Sequence, residues 1–281
     1  MTFRKETLAE GVELYCGDCL EVLPTLGRFD LVLTSPPYNL GNTSGGGFSG
    51  KRTGHYSAQA GLAKRGGSGK WSGGALANGY GLHDDAMEHG AYVDWQREVL
   101  SACWGQLSGE GAIYYNHKAR VLNGTLVTPL DYNPDLPLRQ IVIWARAGGI
   151  NFSPTFYVPT HEWIAIFAKP NFKLKSKGAS GVGDVWYIPQ EPDLEHPAPF
   201  PLTLAMQAIE TTPALSVVDP FCGSGTSGVA AVRLGRRFTG IELEPRYFDL
   251  ACRRISAALK QPDMFIEPPK PAVQLTLDGA A

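Results

Sequence analysis

The run Ser35-Pro-Pro-Tyr-Asn-Leu40 combines groups that can hold a planar amine. Its two consecutive prolines fix an extended backbone, and neither has an amide hydrogen that competes for the carbonyl oxygens of the turn. The Ser35 hydroxyl adds a hydrogen-bonding group, and the Tyr38 ring offers a face on which a base can stack. These residue types predict a site for the exocyclic amine of a planar ring, and the alternative is a rigid loop with a buried tyrosine.

A glycine-rich turn, Asp219-Pro-Phe-Cys-Gly-Ser-Gly-Thr226, is the second stretch suited to binding. Gly223 and Gly225 permit backbone conformations and close approaches that a Cβ would obstruct. Glu242 follows the next predicted strand, where a carboxylate can accept hydrogen bonds from ribose hydroxyls. The arrangement predicts a ligand that contains a nucleoside, and the alternative is a tight turn that binds nothing.

Two ligands fit this turn. Gly223, Gly225 and Gly228 match the G-x-G-x-x-G pattern of dinucleotide-binding dehydrogenases. Asp219, however, can accept from the ammonium of an amino-acid moiety, which NAD lacks, and Phe221 offers an apolar face where no pyrophosphate needs neutralising. These details favour S-adenosylmethionine over NAD, although neither decides the matter alone.

Two basic stretches contain no acidic residue. The segment from Gly41 to His83 holds fourteen of the 33 glycines, which predicts a long loop that contacts phosphate or, alternatively, an insertion without a partner. The second stretch begins at Lys169. It is either a segment that contacts phosphate or an exposed turn. The candidate phosphate contacts in the two stretches are Lys51, Arg52, Lys64, Arg65, Lys70, Lys173, Lys175 and Lys177.

The elements that must position these residues alternate in the manner of an α/β sheet. Predicted buried strands are Phe29–Leu33, Ala112–Tyr115, Gln140–Trp144, Trp163–Ala168, Leu215–Val218 and Phe238–Ile241. Predicted helices are Tyr92–Leu107, Leu202–Glu210, Ser227–Leu234 and Pro245–Leu259. Both candidate sites then follow buried strands, at the carboxyl ends where open α/β sheets bind their ligands.

Composition excludes several classes of protein. A net charge of −2 over 281 residues argues against a uniformly basic, histone-like binder, and 43% hydrophobic residues argue against wholesale disorder. No apolar run approaches the roughly 18 residues of a membrane span. Five cysteines without a secretory signal predict a reducing cytoplasm. Cys16-x-x-Cys19 lacks a second pair, so we expect no metal.

The two candidate sites, taken in order, resemble the DNA amino-methyltransferase family. Thr34-Ser-Pro-Pro-Tyr-Asn-Leu40 precedes the turn at Asp219–Thr226, which is the permuted β-class order of that family. Four further motifs agree with it: Gly17-Asp-Cys19, His161-Glu162, His196-Pro-Ala-Pro-Phe-Pro201 and Gly240-Ile-Glu-Leu-Glu-Pro-Arg-Tyr247. Six ordered motifs disfavour a dehydrogenase. The resemblance covers most of residues 12–260 and leaves the insertion and the tail unmatched.

The resemblance implies a Rossmann-like methyltransferase fold, with a mostly parallel sheet, helices on both faces and a circularly permuted motif order. It implies a single domain over residues 1–281. Within it we expect a catalytic half (12–40 and 84–168), an insertion loop (41–83), a target-recognition segment (169–195), a cofactor-binding half (196–260) and a flexible tail (261–281).

The resemblance also assigns residues to roles. Ser35, Pro36, Pro37 and Tyr38 would hold the target base. The residues that would contact S-adenosyl-L-methionine are Asp18, Phe200, Asp219, Pro220, Phe221, Gly223, Ser224, Gly225, Thr226 and Glu242. The implied partner is double-stranded DNA, from which the target base must flip out. A homodimer in a prokaryotic or phage cytoplasm is expected.

The target base depends on details of these motifs. In the family, Ser35 as the first residue of the tetrad and the Phe-Pro form of the His196 motif favour the N4 of cytosine. The continuation Tyr38-Asn39-Leu40 resembles dimeric enzymes of the cell-cycle type that modify the N6 of adenine, and we favour adenine. An inactive DNA-binding module and an RNA or protein methyltransferase are further candidates. The intact motifs argue against the inactive module, and the basic segments favour nucleic acid over protein.

Overall fold

The computed structural model describes residues 3–39, 82–146, 154–191 and 200–261. The strands are β1 (Arg4–Ala9), β2 (Val12–Cys16), β3 (Phe29–Thr34), β4 (Leu107–His117), β5 (Arg120–Leu122), β6 (Thr125–Val127), β7 (Leu138–Ala145), β8 (His161–Ala168), β9 (Val185–Tyr187), β10 (Ser216–Asp219) and β11 (Arg237–Glu242). The helices are α1 (Cys19–Val22), α2 (His89–Gly105), α3 (Lys177–Ser180), α4 (Leu202–Glu210), α5 (Thr226–Arg233) and α6 (Pro245–Lys260).

A nine-stranded sheet in the order β1-β2-β11-β10-β3-β4-β8-β7-β9 forms the centre of the molecule. Within this sheet β1 and β8 run against the other seven strands. From β10 the chain crosses through α5 to β11 on one side, and from β3 it crosses through α2 to β4 on the other. The adjacent ends of β10 and β3 therefore mark a topological switch point, where open α/β sheets bind ligands.

Helices cover both faces of this sheet. Leu31 and Val217 contribute to a core with α4, α5 and α6, whereas their chain neighbours Val32 and Val218 contribute to a core with α1 and α2. Successive side chains of a strand point to opposite faces, so the central strands are apolar at nearly every position. This burial on both faces explains why the central strands read as continuous hydrophobic runs.

The structure confirms the predicted fold class. All six predicted strands and all four predicted helices are present, with ends displaced by a few residues; β4 extends furthest beyond its prediction. The strands β1, β2 and β9 and the hairpin β5–β6 were not predicted. Most of the insertion and all but Gln261 of the expected tail lie outside the described residues. No helix in the described ranges is long and apolar enough to span a membrane.

Candidate active site

The switch point brings the two predicted sites side by side. The tetrad Ser35–Tyr38 follows β3, and the glycine-rich turn follows β10, which pairs with β3 through Val217–Leu31 and Val218–Val32. The Thr34 hydroxyl at the end of β3 donates to Asp219 Oδ1 at the end of β10, at 2.9 Å. This buried hydrogen bond connects the residue that precedes the tetrad directly to the first residue of the turn.

The turn after β10 has the backbone that its glycines predict. Gly223 and Gly225 have φ angles of 54° and 84°, in the left-handed region that side chains disfavour. A Cβ on Gly225 would lie 3.0 Å from both Cα and Cβ of Ala251 in α6, so the turn and the helix pack in direct contact. From the same helix, Arg254 Nη1 donates to the Ser224 carbonyl at 2.8 Å. Helix α6 thus holds the turn in place.

Asp219 is enclosed by hydrogen bonds from its own chain. Its Oδ1 accepts from the Phe221 amide at 3.0 Å in addition to Thr34, and its Oδ2 accepts from the Ser227 hydroxyl. Burial raises the pKa of this carboxyl to about 6. Only 1% of Asp219 is exposed, so the structure places this carboxylate beneath the turn, which it organises; its contact with a ligand ammonium stays a prediction.

Glu242 ends β11, the strand beside β10, as the sequence predicts. Its Oε2 accepts from the Gly223 amide at 2.7 Å and its Oε1 accepts from the Glu244 amide at 2.9 Å. Burial raises the pKa of Glu242 to about 7. Each carboxylate oxygen has two lone pairs, so both can still accept from a diol.

An aromatic surface borders the turn. The half-buried Phe221 ring lies 5.5 Å from the Trp95 ring, and Trp95 lies 4.8 Å from His83. The Leu82 amide donates to the Glu244 carboxylate, which ties the segment before α2 to the end of β11. These rings suit the flat faces of a purine.

The other residues predicted to contact the cofactor are partly or fully buried. Asp18 caps α1 by accepting from the Leu20 amide at 2.8 Å and remains partly exposed. Phe200 packs in the core on the α4–α6 face, and Pro220, Ser224 and Thr226 are buried. A carboxylate beside a glycine-rich turn, next to aromatic rings, fits the ribose and purine of S-adenosylmethionine.

The tetrad belongs to a polar network that sequence reasoning missed. Ser35 Oγ lies 2.9 Å from the Tyr38 hydroxyl, which donates to Glu162 Oε2 at 3.0 Å. Asn116 Nδ2 lies 3.3 Å from Ser35 Oγ, 2.8 Å from the Tyr38 hydroxyl and 3.1 Å from Glu162 Oε2. Arg146 forms an ion pair with the other oxygen of Glu162, at 3.6 Å. The network joins the tetrad to β4, to β8 and to the residue that follows β7.

Backbone contacts fix the tetrad itself. The Tyr92 hydroxyl in α2 donates to the Pro37 carbonyl at 2.6 Å. Arg120 Nη1 donates to the carbonyls of Tyr38 and Asn39, at 3.1 and 2.7 Å. The Tyr38 ring lies 4.6 Å from the ring of His117, whose pKa burial lowers to about 3, so this imidazole is neutral. These contacts hold the backbone of the tetrad in place before any ligand binds.

The second basic stretch lies within the described residues. Lys173, Lys175 and Lys177 are exposed, but they lie near the amino end of the sheet: the Lys175 amide donates to the Thr211 carbonyl, just before β10 begins, at 2.9 Å. The structure therefore separates them from the tetrad, and we leave them out of the proposed DNA surface. Lys51, Arg52, Lys64, Arg65 and Lys70 lie outside the described residues. The described ranges contain no cluster of three or more potential metal ligands.

The fold and site together define a Rossmann-like, S-adenosylmethionine-dependent methyltransferase. A family model described as DNA methylase matches residues 29–253, which include both the tetrad and the cofactor turn. The chain therefore belongs to the DNA methylase family, whose members modify the N6 of adenine or the N4 of cytosine.

Individual relatives agree with this assignment. The chain is 25% identical to the type II methyltransferase M.BglII of Bacillus subtilis, over 87% of this chain and 69% of the relative. It is 26% identical to M.ScaI of Streptomyces caespitosus, over 88% and 82%.

Solved structures share the fold. TTHA0409 of Thermus thermophilus, complexed with S-adenosyl-L-methionine, superposes with a TM-score of 0.58 at 22% identity, over 88% of this chain and 94% of the other. The cytosine-N4-specific PvuII DNA methyltransferase gives a TM-score of 0.60 at 18% identity, over 90% and 87%. These likenesses confirm the expected Rossmann-like arrangement.

Proposed function

We propose that this protein transfers a methyl group from S-adenosyl-L-methionine to the exocyclic amino nitrogen of a flipped base in double-stranded DNA, with adenine N6 as the target. The observation that carries the proposal is the direct coupling of the tetrad to the cofactor turn through Thr34 and Asp219. This coupling supports a reaction in which a base held by one loop meets a ligand held by the other.

In this proposal the tetrad receives the base. An amino nitrogen in a duplex is paired and stacked, so the base must leave the helix at a cost of a few kcal/mol. Stacking on Tyr38 returns about 1–3 kcal/mol of that cost. The Pro36 carbonyl and the Ser35 oxygen accept from the amine, which localises its lone pair and orients it. The fixed backbone of Pro36 and Pro37 keeps these acceptors from reorganising.

S-adenosylmethionine, when bound, supplies a methyl group on a positively charged sulfur, which makes that group an electrophile. We assign its ribose hydroxyls to Glu242 and its purine to the surface of Phe221 and Trp95. Asp219 lies beneath the turn and supports the cofactor indirectly, because it fixes the turn by accepting from the Phe221 amide and the Ser227 hydroxyl. The sequence-predicted contacts of Asp18 and Phe200 remain part of this proposal.

The target base is tested by incubating the protein and S-adenosylmethionine with DNA of mixed sequence. The DNA is then digested to nucleosides and analysed by mass spectrometry, and we expect N6-methyladenine. N4-methylcytosine alone would establish the second candidate, which Ser35 favours. No modified nucleoside in any DNA, with S-adenosylmethionine bound, would point to an inactive module, and modified RNA alone would overturn the choice of DNA.

Cofactor affinity should depend on pH through Glu242. Because burial raises its pKa to about 7, the carboxyl is mostly protonated a unit below that value and mostly ionised a unit above it. The ionised form accepts from both ribose hydroxyls, so S-adenosylmethionine should bind more tightly as the pH rises through this window. Isothermal titration calorimetry at several pH values measures the trend. Glu242→Gln should lose this pH dependence, and a mutant as steep as the wild type would contradict the assignment.

The raised pKa of Glu242 has the opposite effect on folding stability: cofactor affinity should rise with pH, whereas the contribution of Glu242 to stability falls. The folded carboxyl holds its proton to a higher pH than the unfolded one, so its contribution to stability is complete below the unfolded pKa and is lost as the pH rises through about 7. Bound cofactor favours the ionised form. The increase in melting temperature caused by S-adenosylmethionine should therefore be larger above pH 7 than below it.

The DNA surface can be tested with two matched charge variants. Replacing Lys51, Lys64 and Lys70 by glutamine should weaken DNA binding and reduce the slope of log K against log salt by up to about 2.7. The same replacement at Lys173, Lys175 and Lys177 removes equal charge at the end of the sheet away from the tetrad and should leave the slope unchanged. Equal effects of the two variants would show that charge acts without regard to position.

Two further expectations belong to this proposal. Strand β9, within the expected target-recognition segment, brings the largely exposed Tyr187 to the carboxyl end of the sheet, and we assign DNA contact to this end of the segment. We also propose a homodimer in a prokaryotic or phage cytoplasm. Sedimentation equilibrium, with and without DNA, measures the oligomeric state.

A further inference from the structure

A continuous line of hydrogen bonds leads from the tetrad to a buried carboxylate. The single hydrogen of the Tyr38 hydroxyl points to Glu162 Oε2 at 3.0 Å. Since that hydrogen is committed, the contact of 2.9 Å between Ser35 and Tyr38 requires the Ser35 hydroxyl to donate to the Tyr38 oxygen. Both hydroxyls therefore point toward Glu162, and the Ser35 oxygen is left as an acceptor.

The surroundings of Glu162 keep this direction. Asn116 Nδ2 contacts Ser35, Tyr38 and Glu162 from β4, so a single amide aligns the whole line. Arg146 and Lys118 are the cations that act on Glu162, and Arg146 is within 3.6 Å of its Oε1. The second carboxylate oxygen is thus occupied by a cation, and Oε2 faces the tyrosine. Glu162 is 6% exposed, which limits its exchange with water.

Methylation of an amine requires such an acceptor. The amino nitrogen forms a bond to the methyl carbon, and the carbon–sulfur bond breaks with its electron pair remaining on sulfur. The nitrogen then carries a positive charge and must lose one proton. The hydrogen-bonded side chains beside the tetrad offer that proton a path along groups of the protein.

We infer that Glu162 is the terminal acceptor of this proton, which reaches it through Ser35 and Tyr38; the inference rests on the proposed methyl transfer. The amine proton passes to Ser35 Oγ, the Ser35 proton passes to the Tyr38 oxygen, and the Tyr38 proton passes to Glu162 Oε2. The products are an N-methylated base, a neutral thioether and a protonated Glu162. Because Glu162 does not touch the base, it is a positioning residue that acts through Tyr38.

The test is Glu162→Gln, which preserves the size of the side chain and an oxygen acceptor for Tyr38 but cannot accept the proton. We expect the single-turnover rate to fall by at least about 10²-fold, the lower range for general-base catalysis. The dissociation constants of S-adenosylmethionine and DNA should stay within about threefold, since neither ligand contacts Glu162. Glu110→Gln, an exposed carboxylate at the opposite end of β4, is the matched control and should retain the wild-type rate.

Tyr38→Phe interrupts the same line at another point and keeps the aromatic ring. Its rate should fall as in Glu162→Gln, and the double variant should be no slower than either single variant, because one path is already broken. Infrared difference spectra of a single turnover should show a carboxylic acid forming in the wild type but not in Glu162→Gln. This readout follows the proton and would not respond to a purely structural role.

Three results would overturn the inference: a Glu162→Gln rate close to the wild type, multiplicative losses in the double variant, or the same carboxylic acid signal in the mutant. In each case the wild type would still methylate DNA, so the proposed function would stand. If the wild type modified no nucleic acid, the proposed function itself would fail first.

Discussion

Replacing Tyr38 by alanine will lower the single-turnover rate of DNA methylation about 10³-fold. Two losses combine. The ring that stacks on the flipped base contributes about 1–3 kcal/mol, and a missing general-base path costs about 10²-fold or more. Truncation also removes the hydroxyl that joins Ser35 to Glu162, so Ser35 loses its fixed direction.

Rapid-quench assays with enzyme in excess over DNA measure this rate, and titration calorimetry measures cofactor binding in the same preparations. S-adenosylmethionine should bind within about twofold of the wild type, because Tyr38 makes none of its proposed contacts. Tyr38→Phe should fall between the wild type and Tyr38→Ala, since it keeps stacking. An unchanged rate in Tyr38→Ala would remove Tyr38 from the mechanism.

The order of these variants also separates two explanations of the tetrad. If Tyr38 only stacked, phenylalanine would substitute fully and Glu162→Gln would be silent. If Tyr38 only relayed a proton, phenylalanine and alanine would be equally slow. The structure supports both roles, because the hydroxyl is bound into the network while the ring remains half-buried against His117.

The central sheet could be predicted from the sequence because its strands are buried on both faces. Runs such as Phe29–Leu33 are apolar at nearly every position, and long amphipathic helices separate them. The glycines of the cofactor turn were equally readable, since positive φ angles at Gly223 and Gly225 demand that residue type. Local chemistry was sufficient in both cases.

The edges of the fold left no comparable signal. Strands β5, β6 and β9 have three residues each, too few to display a period of two. Helix α1 has four residues, and its cap at Asp18 was read only as a possible ligand contact. Short elements form because tertiary contacts stabilise them, and those contacts cannot be predicted from local sequence patterns.

The network around the tetrad was missed for a different reason. Asn116 stands 81 positions and Glu162 124 positions from their partners in the tetrad, and strand pairing alone brings them together. In the sequence, the only sign of a role for Asn116 was the pair of polar residues that ends the buried strand β4. Glu162 was noted as part of a family motif without a role. Reading either as functional requires the order of β3, β4 and β8 in the sheet.

The lysines after Lys169 show what a charge pattern alone leaves open. Their charge and lack of acidic neighbours match a phosphate-binding stretch, but β8 runs antiparallel to β4 and returns the chain to the amino end of the sheet. One reversed strand therefore moves a basic segment away from the tetrad. Charge pattern identifies a candidate surface, and strand direction decides where that surface lies.

Replacing Glu242 by alanine will weaken S-adenosylmethionine binding about 10³-fold. A hydrogen bond to a charged group contributes about 1.5–3 kcal/mol, so two ribose hydroxyls on one carboxylate account for roughly 4 kcal/mol. The substitution also leaves the amides of Gly223 and Glu244 without their acceptor, which loosens the turn that carries the rest of the ligand. Titration calorimetry gives the dissociation constant, and circular dichroism confirms that the variant is folded.

Glu242→Gln separates the charge from the hydrogen-bonding geometry. The amide keeps one oxygen acceptor but replaces the other with a donor, which faces an amide N–H, so affinity should fall by about tenfold or more but less than in Glu242→Ala. Glu210→Ala removes an exposed carboxylate at the end of α4 and should leave affinity unchanged. Wild-type affinity in Glu242→Ala would exclude the ribose contact. The cofactor would then have to be held by the aromatic surface and the glycine turn alone, and the pH dependence assigned to Glu242 would have to come from another group.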